Sequence, residues 1–179
     1  MTQPGAIGRR VSSCIAAFQV KAYETALIHL FPAMDQTAKR RRPSAGVGER
    51  IQLFISDQED IITAIALGNI IRDIKINGTS FPEAVYKYGR TAIVHEGELD
   101  RRLRVVEAGG MSVNGDVWTL PSSYLFAMTI GVMAAKENGR EDLGFDGAVR
   151  FFDRQWRLKQ IWGGEGKIRV TMSKIFPSS

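Results

Sequence analysis

One short stretch of the chain combines residue types that can do acid–base and phosphate chemistry. It reads YKYGRTAIVHEGEL and contains Arg90 and His95, one of only two histidines in the chain. An imidazole with an ordinary pKa of about 6.5 can act as a general acid or a general base at neutral pH. A guanidinium stays charged and binds phosphate through a planar fork of donors. The stretch is therefore a candidate site for chemistry on a phosphate ester.

The residues around this stretch predict that it lies on a helix. Ser80 can cap the helix, Pro82 suits the first turn, and Glu83 completes a capping box. A glycine, Gly97, follows the last periodic residue and predicts the end of the helix. Five helical residues rotate by about 140°, so Arg90 does not lie on the same helix face as His95. The apolar positions that follow the helical period are Phe81, Val85, Tyr88 and Ala92.

The remaining periodicity predicts a mainly helical protein. A long helix is expected from Val11, kinked or split at Pro32, and a second helical region is expected over residues 49–76. Asn114-Gly115 predicts a β-hairpin after the motif helix, and another helix is expected to start at Pro121. A last long helix is then expected, followed by a strand formed by GGEGKIRVTMSKIF. The residues expected on one face of that last helix are Phe145, Val149, Phe152 and Trp156.

Composition and charge limit the class of protein. The 179 residues are 44% hydrophobic and 24% charged, which is typical of a folded domain and excludes a disordered chain. The net charge of +5 favours a polyanionic partner. The chain has one cysteine, no apolar leader and no stretch long enough to span a membrane, so a cytoplasmic protein without a membrane segment is expected. No cysteine, histidine or glycine spacing predicts a metal or a cofactor.

The YKYGRTAIVHEG stretch resembles the signature of the HEPN superfamily, in which an Arg is followed a few residues later by a His near the end of a bundle helix. The resemblance covers about residues 12–138. It implies an up-and-down helical bundle of four to five helices with a small β-hairpin insertion after the motif helix. We expect a single domain over residues 1–179, in which residues 144–179 add a helix and a short C-terminal strand.

The resemblance also implies an activity, namely metal-independent RNA cleavage by a homodimer in a toxin or phage-defence setting. His95 would act as the general acid or base on the ribose 2′-hydroxyl or the leaving oxygen. Arg90 would clamp the scissile phosphate, and Thr91 would hold that phosphate or orient the imidazole. The two motif helices would face each other and form a composite cleft, and an antitoxin or another protein could be a further partner.

Two alternatives stay open at this point. HEPN nucleases usually place Asn, Asp or His directly after the motif Arg, whereas this chain has Thr91. The alternative function is a non-catalytic HEPN-like module that binds RNA, nucleotide or a protein partner. The run Lys39 to Arg42 is either a solvated helix end or a contact for the RNA backbone. Further residues predicted to contact RNA are Lys87, Arg101, Arg102 and Arg104.

Overall fold

The structure is a computed structural model that describes residues 3–177, and it is built mainly from α-helices with three small sheets. The prediction of a mainly α protein is confirmed. The longer helices are α1 (Ala6–Gln19), α2 (Tyr23–Arg41), α3 (Val47–Leu67), α6 (Ser122–Ala134) and α8 (Glu165–Ile175). The shorter ones are α4 (Phe81–Ala84), a π-helical segment (Val85–Thr91), α5 (Ala92–Glu96), a 3-10 turn (Lys136–Asn138) and α7 (Leu158–Ile161). The strands are β1 (Lys75–Ile76), β2 (Thr79–Ser80), β3 (Leu103–Val106), β4 (Ser112–Asn114), β5 (Val117–Pro121), β6 (Ala148–Phe151) and β7 (Arg154–Arg157).

The centre of the fold is α6, which is apolar around most of its circumference and is covered on several sides by other helices. It packs against α3, and α2 packs against both α3 and α1. The predicted hairpin after the motif helix is confirmed as β4 and β5, which pair with Gly115 and Asp116 as the connecting residues. Gly115 takes a φ of 61°, which glycine adopts without strain. The strand β3 pairs in parallel with β5 and completes a sheet of three strands.

The N-terminal helix divides at a different place from the one predicted. Pro32 lies inside α2, which continues through it, whereas the chain breaks between Gln19 and Tyr23. Lys21 takes a φ of 60°, and this left-handed residue turns the chain back. The reversal lets α1 pack along α2, an arrangement that burial across two helices favours. Local proline chemistry therefore did not decide where the helix divides.

The C-terminal region reverses the predicted order of helix and strand. Residues 148–157 form a β-hairpin and not a helix, and Glu165–Ile175 is a helix and not a strand. In the hairpin Val149 lies opposite Trp156, which is fully buried. Phe151 lies on the same face two residues after Val149, so the apolar residues follow a period of two. In α8 the buried residues are Ile168 and Met172, spaced one helical turn apart. The spacing of the aromatic residues predicted a helix, but pairing between two strands determined the structure of this segment.

Asp57, a residue type that often caps helices, lies in the middle of α3 and does not cap it. The helix α3 continues without a break from Val47 to Leu67, and the Asp57 carboxylate instead accepts hydrogen bonds from Arg41 and Arg42. Ion pairs with Arg41 and Arg42 at the end of α2 stabilise Asp57 in the middle of α3. The periodicity of apolar residues does not predict such pairs.

Candidate functional site

The helix that carries the candidate motif begins at the predicted cap and ends at the predicted glycine, but of the predicted capping box the described residues show only the Ser80 half. The Ser80 hydroxyl accepts a hydrogen bond from the backbone N–H of Glu83 at 3.2 Å, and Pro82 lies in the first turn. Gly97 takes a φ of 80° directly after the last helical residue. Both ends are therefore determined by local chemistry, a side-chain cap at the start and a left-handed glycine at the end.

The middle of this helix is π-helical over Val85–Thr91, so the backbone around Arg90 is wider than an α-helix. Gly89 is buried within the segment against α2. A Cβ at Gly89 would lie 2.6 Å from the Cζ of Phe31, so only glycine lets the two helices come this close. Short π-helical segments occur often at functional sites, and this one places Arg90 and Thr91 at its end.

The predicted catalytic residues occupy different environments. The Arg90 guanidinium is half-buried and lies 6.0 Å from the centre of the Tyr86 ring, whereas His95 is exposed on α5. The Thr91 hydroxyl is buried and has no hydrogen-bond partner in the described part of the chain. Within residues 3–177 the structure shows no hydrogen bond between Arg90 and His95, so their catalytic role stays a prediction.

The four cations predicted to contact RNA are not equivalent. Arg102 donates two hydrogen bonds to the Asp100 carboxylate, of 3.0 and 2.5 Å, and its guanidinium lies 4.4 Å from the centre of the Tyr88 ring. These hydrogen bonds lower the pKa of Asp100 to about 2. Arg102 is thus already engaged. The cations that are exposed are Lys87, Arg101 and Arg104.

The basic run at the end of α2 is largely used inside the protein. Arg41 is 11% exposed and lies 2.6 Å from a carboxylate oxygen of Glu165, 2.9 Å from one of Glu137 and 3.2 Å from one of Asp57. Arg42 donates two further hydrogen bonds to Asp57. Neither a solvated helix end nor a free RNA contact describes Arg41 and Arg42, because both form ion pairs within the fold.

These ion pairs belong to a larger group that joins α2, α3, α8 and the 3-10 turn, which we call the charged cluster. Burial acts to raise the pKa of Asp57, but hydrogen bonds from Arg42 and Arg41 outweigh it and lower that pKa. The Glu137 pKa is lowered in the same way, burial being outweighed by the hydrogen bond from Arg41. The cluster therefore stabilises charged carboxylates. Its members are Arg41, Arg42, Asp57, Asp60, Arg72, Glu137, Glu165 and Arg169.

The net charge of the chain is concentrated at its C-terminal end. Residues 148–179 hold seven Lys or Arg and two Asp or Glu, a net charge of +5. Residues 1–147 hold seventeen of each sign and are neutral overall. The whole excess of positive charge thus belongs to the hairpin β6–β7, to α7 and to α8. Such an asymmetry between segments indicates a surface that attracts anions.

Pairing of β6 with β7 places two of these cations, Arg150 and Arg157, on the outer face of the hairpin. Arg150 lies opposite Gln155 and Ala148 lies opposite Arg157, so these four residues share one face. The other face buries Trp156 against the ring of Phe151, at 5.1 Å between ring centres. We call the exposed cations of this region the C-terminal basic surface, and they are Arg150, Arg154, Arg157, Lys159, Lys167 and Lys174.

The turn of this hairpin has an unusual backbone. Phe152 and Asp153 take φ values of 56° and 52°, the positive pair that a tight two-residue hairpin requires. A left-handed conformation is rare for a bulky residue. Phe152 is held by the ring of Phe176, 5.9 Å away, which also brings the end of α8 to the hairpin. The periodicity assigned this segment to a helix and missed its surface, although the charge asymmetry was visible in the sequence.

Comparison with known proteins identifies the family of the chain. The family model named Rv1289 matches residues 6–178. The chain belongs to the Rv1289 family. Its relatives include the uncharacterized proteins Mb1320 of Mycobacterium bovis and Rv1289 of Mycobacterium tuberculosis, each 22% identical over 91% of this chain and 86% of the relative. No solved structure matches the chain.

The resemblance to the HEPN superfamily is wrong. Membership of the Rv1289 family extends over residues 6–178, which includes the YKYGRTAIVHEG stretch and the C-terminal residues that the resemblance left out. An Arg and a His separated by four residues on a helix occur by chance, so the pattern carried little family information. The expectations of a toxin, an antitoxin and a phage-defence setting depended on that resemblance and lose their basis.

The described part of this Rv1289-family protein lacks a membrane-spanning helix and a metal-binding cluster. None of its described helices is long and apolar enough to cross a bilayer. Among residues 3–177, no group of three or more His, Cys, Asp or Glu side chains is arranged to hold a metal ion.

Proposed function

We propose that this protein binds RNA through the C-terminal basic surface. The observation that carries the proposal is the location of the full net charge of +5 on residues 148–179, where six cations are exposed on the hairpin, α7 and α8. Neutralisation of phosphates by such residues releases counterions and supplies most of the affinity in sequence-independent binding. The rest of the chain is neutral overall, so it does not compete for the polyanion by charge.

The chemistry of the hairpin favours a single-stranded RNA over an acidic protein. Arg154 lies 4.8 Å from the centre of the Trp156 ring, and the half-exposed Phe152 stands at the turn. Trp156 is fully buried and holds Arg154 in place, whereas the half-exposed Phe152 ring lies next to exposed cations and gives a base a face on which to stack. On α8, Lys167 and Lys174 are two helical turns apart and lie on one side of the helix. This spacing extends the phosphate-binding surface beyond the hairpin.

Charge removal at this surface is expected to weaken RNA binding and its dependence on salt. The triple variant Arg150→Gln, Arg154→Gln, Lys167→Gln removes three exposed cations. Binding of a fluorescent mixed-sequence RNA is measured by anisotropy across a salt series. Because each neutralised phosphate contributes about 0.7 to the slope of log K against log salt for single strands, the slope should fall by about 2 in magnitude.

The matched control removes the same charge from the surface that the sequence predicted. The triple variant Lys87→Gln, Arg101→Gln, Arg104→Gln should leave the affinity and the slope near those of the unmodified protein. If this variant loses binding and the C-terminal variant does not, RNA is bound next to the motif helix and the proposal is wrong. If the unmodified protein binds no RNA at low salt, the protein has another partner.

A second candidate function is metal-independent RNA cleavage by Arg90 and His95. It is favoured by one observation, the π-helical backbone that ends at Arg90 and Thr91. Since Arg90 and His95 lie in different environments on one chain, cleavage would require residues from two copies, which is the predicted homodimer. Cytoplasmic localisation is part of the same proposal.

Cleavage is tested with purified protein and mixed RNA in EDTA. If the second candidate is right, His95→Ala should slow cleavage by about a hundredfold or more, because a positioned acid or base contributes about 10²- to 10⁴-fold. Glu98→Ala, at an exposed position in the loop that follows α5, is the control and should cleave normally. RNA that stays intact with the unmodified protein rules out this candidate and leaves the binding proposal unaffected.

A further inference from the structure

A cavity of about 400 Å³ lies between α1, α6 and the segment that leads into β6. This volume is within the range of about 300–1,000 Å³ that is typical of small-molecule sites. Phe18 and Phe126 line it from the two helices, with ring centres 6.4 Å apart, and Leu158 lines it from the start of α7. We call this cavity the apolar chamber.

The interior of the apolar chamber offers little polarity. The Cys14 thiol lies 3.5 Å from the Thr129 hydroxyl, which itself donates a hydrogen bond to the carbonyl of Leu125. Of the lining residues only Asp146 carries a charge, and its side chain is 84% exposed at the mouth of the chamber. A ligand in the chamber must therefore be apolar along its buried part and must keep any charge at the mouth.

A second, polar cavity of about 490 Å³ adjoins this mouth. The two cavities share Asp146, Gly147 and Ala148, and the second adds Arg157 and Lys159. Strand pairing explains the proximity, because Ala148 lies directly opposite Arg157. Lys159 forms an ion pair of 2.9 Å with Asp146, and Arg157 adds a further positive charge, so the mouth has a net positive charge. The mouth is therefore complementary to an anionic group.

We propose that the apolar chamber and its basic mouth bind a fatty acid. The acyl chain lies in the chamber against Phe18 and Phe126, and the carboxylate lies at the mouth near Arg157 and Lys159. The argument rests on the continuity of an apolar cavity with a cationic mouth. An uncharged apolar ligand would leave the cations unused, and a small hydrophilic anion would leave the chamber unused.

The proposal is tested by binding of a series of straight-chain acids from hexanoate to hexadecanoate to the full-length protein, measured by titration calorimetry. Burial of each methylene contributes about 0.8 kcal/mol, or about fourfold in Kd. The Kd should therefore fall about fourfold for each added carbon until the chamber is filled, and should then stop falling. A Kd that does not change with chain length would overturn the proposal.

Variants separate the two parts of the site. Arg157→Gln with Lys159→Gln should weaken decanoate binding by about fivefold, as expected for exposed ion pairs, and should leave decanol binding unchanged. Ile15→Trp narrows the chamber and should abolish binding of both ligands, whereas Val170→Trp, on the exposed side of α8 and outside the cavity, should not. Equal affinity for decanol and decanoate in the unmodified protein would show that the mouth does not select an anion.

The blocking variant is checked for folding by circular dichroism and thermal unfolding. If Ile15→Trp does not fold, the proposal is tested by the chain-length series and by Arg157→Gln with Lys159→Gln, which leave the core intact. Loss of decanoate binding in Val170→Trp would place the ligand outside the apolar chamber and overturn the proposal.

Discussion

Replacement of Arg41 by alanine is expected to lower the free energy of unfolding by about 3 kcal/mol. Arg41 is the central cation of the charged cluster, and within residues 3–177 the Glu137 carboxylate accepts hydrogen bonds from no other cation. The Glu137 side chain is only 12% exposed, and without Arg41 its carboxylate has no cationic partner. An ionised group that is largely buried without a partner costs several times more than the loss of an exposed ion pair. Urea unfolding monitored by circular dichroism measures the change.

Lys39→Ala is the control for this prediction. It removes the same charge from the same helix at an exposed position, and it should change the free energy of unfolding by less than about 0.5 kcal/mol. If the two variants lose the same stability, the charged cluster contributes no more than a solvated helix end.

The pH dependence gives an independent readout of the same cluster. The pKa values of Asp57 and Glu137 are lowered in the fold, so their contribution to stability is present above the ordinary carboxylate pKa of about 4 and is lost as pH falls below it. Arg41→Ala should therefore differ from the unmodified protein most at pH 7 and least near pH 3. Glu59 has a pKa raised by burial and acts in the opposite direction, but it is present in both proteins.

Replacement of Trp156 by alanine is expected to lower the free energy of unfolding by about 3–5 kcal/mol. The indole is fully buried and stacks on Phe151 with an angle of 2° between the ring planes. The loss should include the cavity left in the core beside Phe151. Because the same indole anchors the hairpin that carries Arg150 and Arg154, RNA affinity should fall together with stability.

Trp156→Phe is the matched variant. It keeps an aromatic ring beside Phe151 and removes the indole N–H, which has no hydrogen-bond partner among the described residues. Its loss of stability should be less than half that of the alanine variant, and RNA binding should be retained. If the phenylalanine variant is as unstable as the alanine variant, the indole N–H has a partner such as a buried water.

The motif helix shows where local signals are sufficient. Ser80 and Gly97 determine its ends through a cap and a left-handed residue, and both act within a few bonds of the backbone they satisfy. The turn at Gly115 follows the same logic. What the sequence did not reveal was the π-helical segment, because the approach of α2 to Gly89 depends on a residue far away in the chain.

The C-terminal region shows where local signals fail. Val149 and Trp156 are seven residues apart, which is compatible with one helix face and equally with a cross-strand pair. Whether the segment forms a helix or a hairpin depends on the turn at Phe152 and Asp153 and on the packing of Trp156. The spacing of apolar residues predicts neither. The residues predicted from sequence to contact RNA therefore lie on and after the motif helix, and none lies on the C-terminal basic surface.

The sequence by itself determined the mainly α composition, the ends of the motif helix, the β4–β5 hairpin and the excess of positive charge in residues 148–179. These depend on backbone propensity, caps, turns and residue counts, which act locally or need no structure. Only the tertiary structure decided that Arg41 is enclosed by carboxylates while Arg150 is exposed. The physical reason is that burial and ion pairing depend on residues that are distant in the chain and adjacent in the fold.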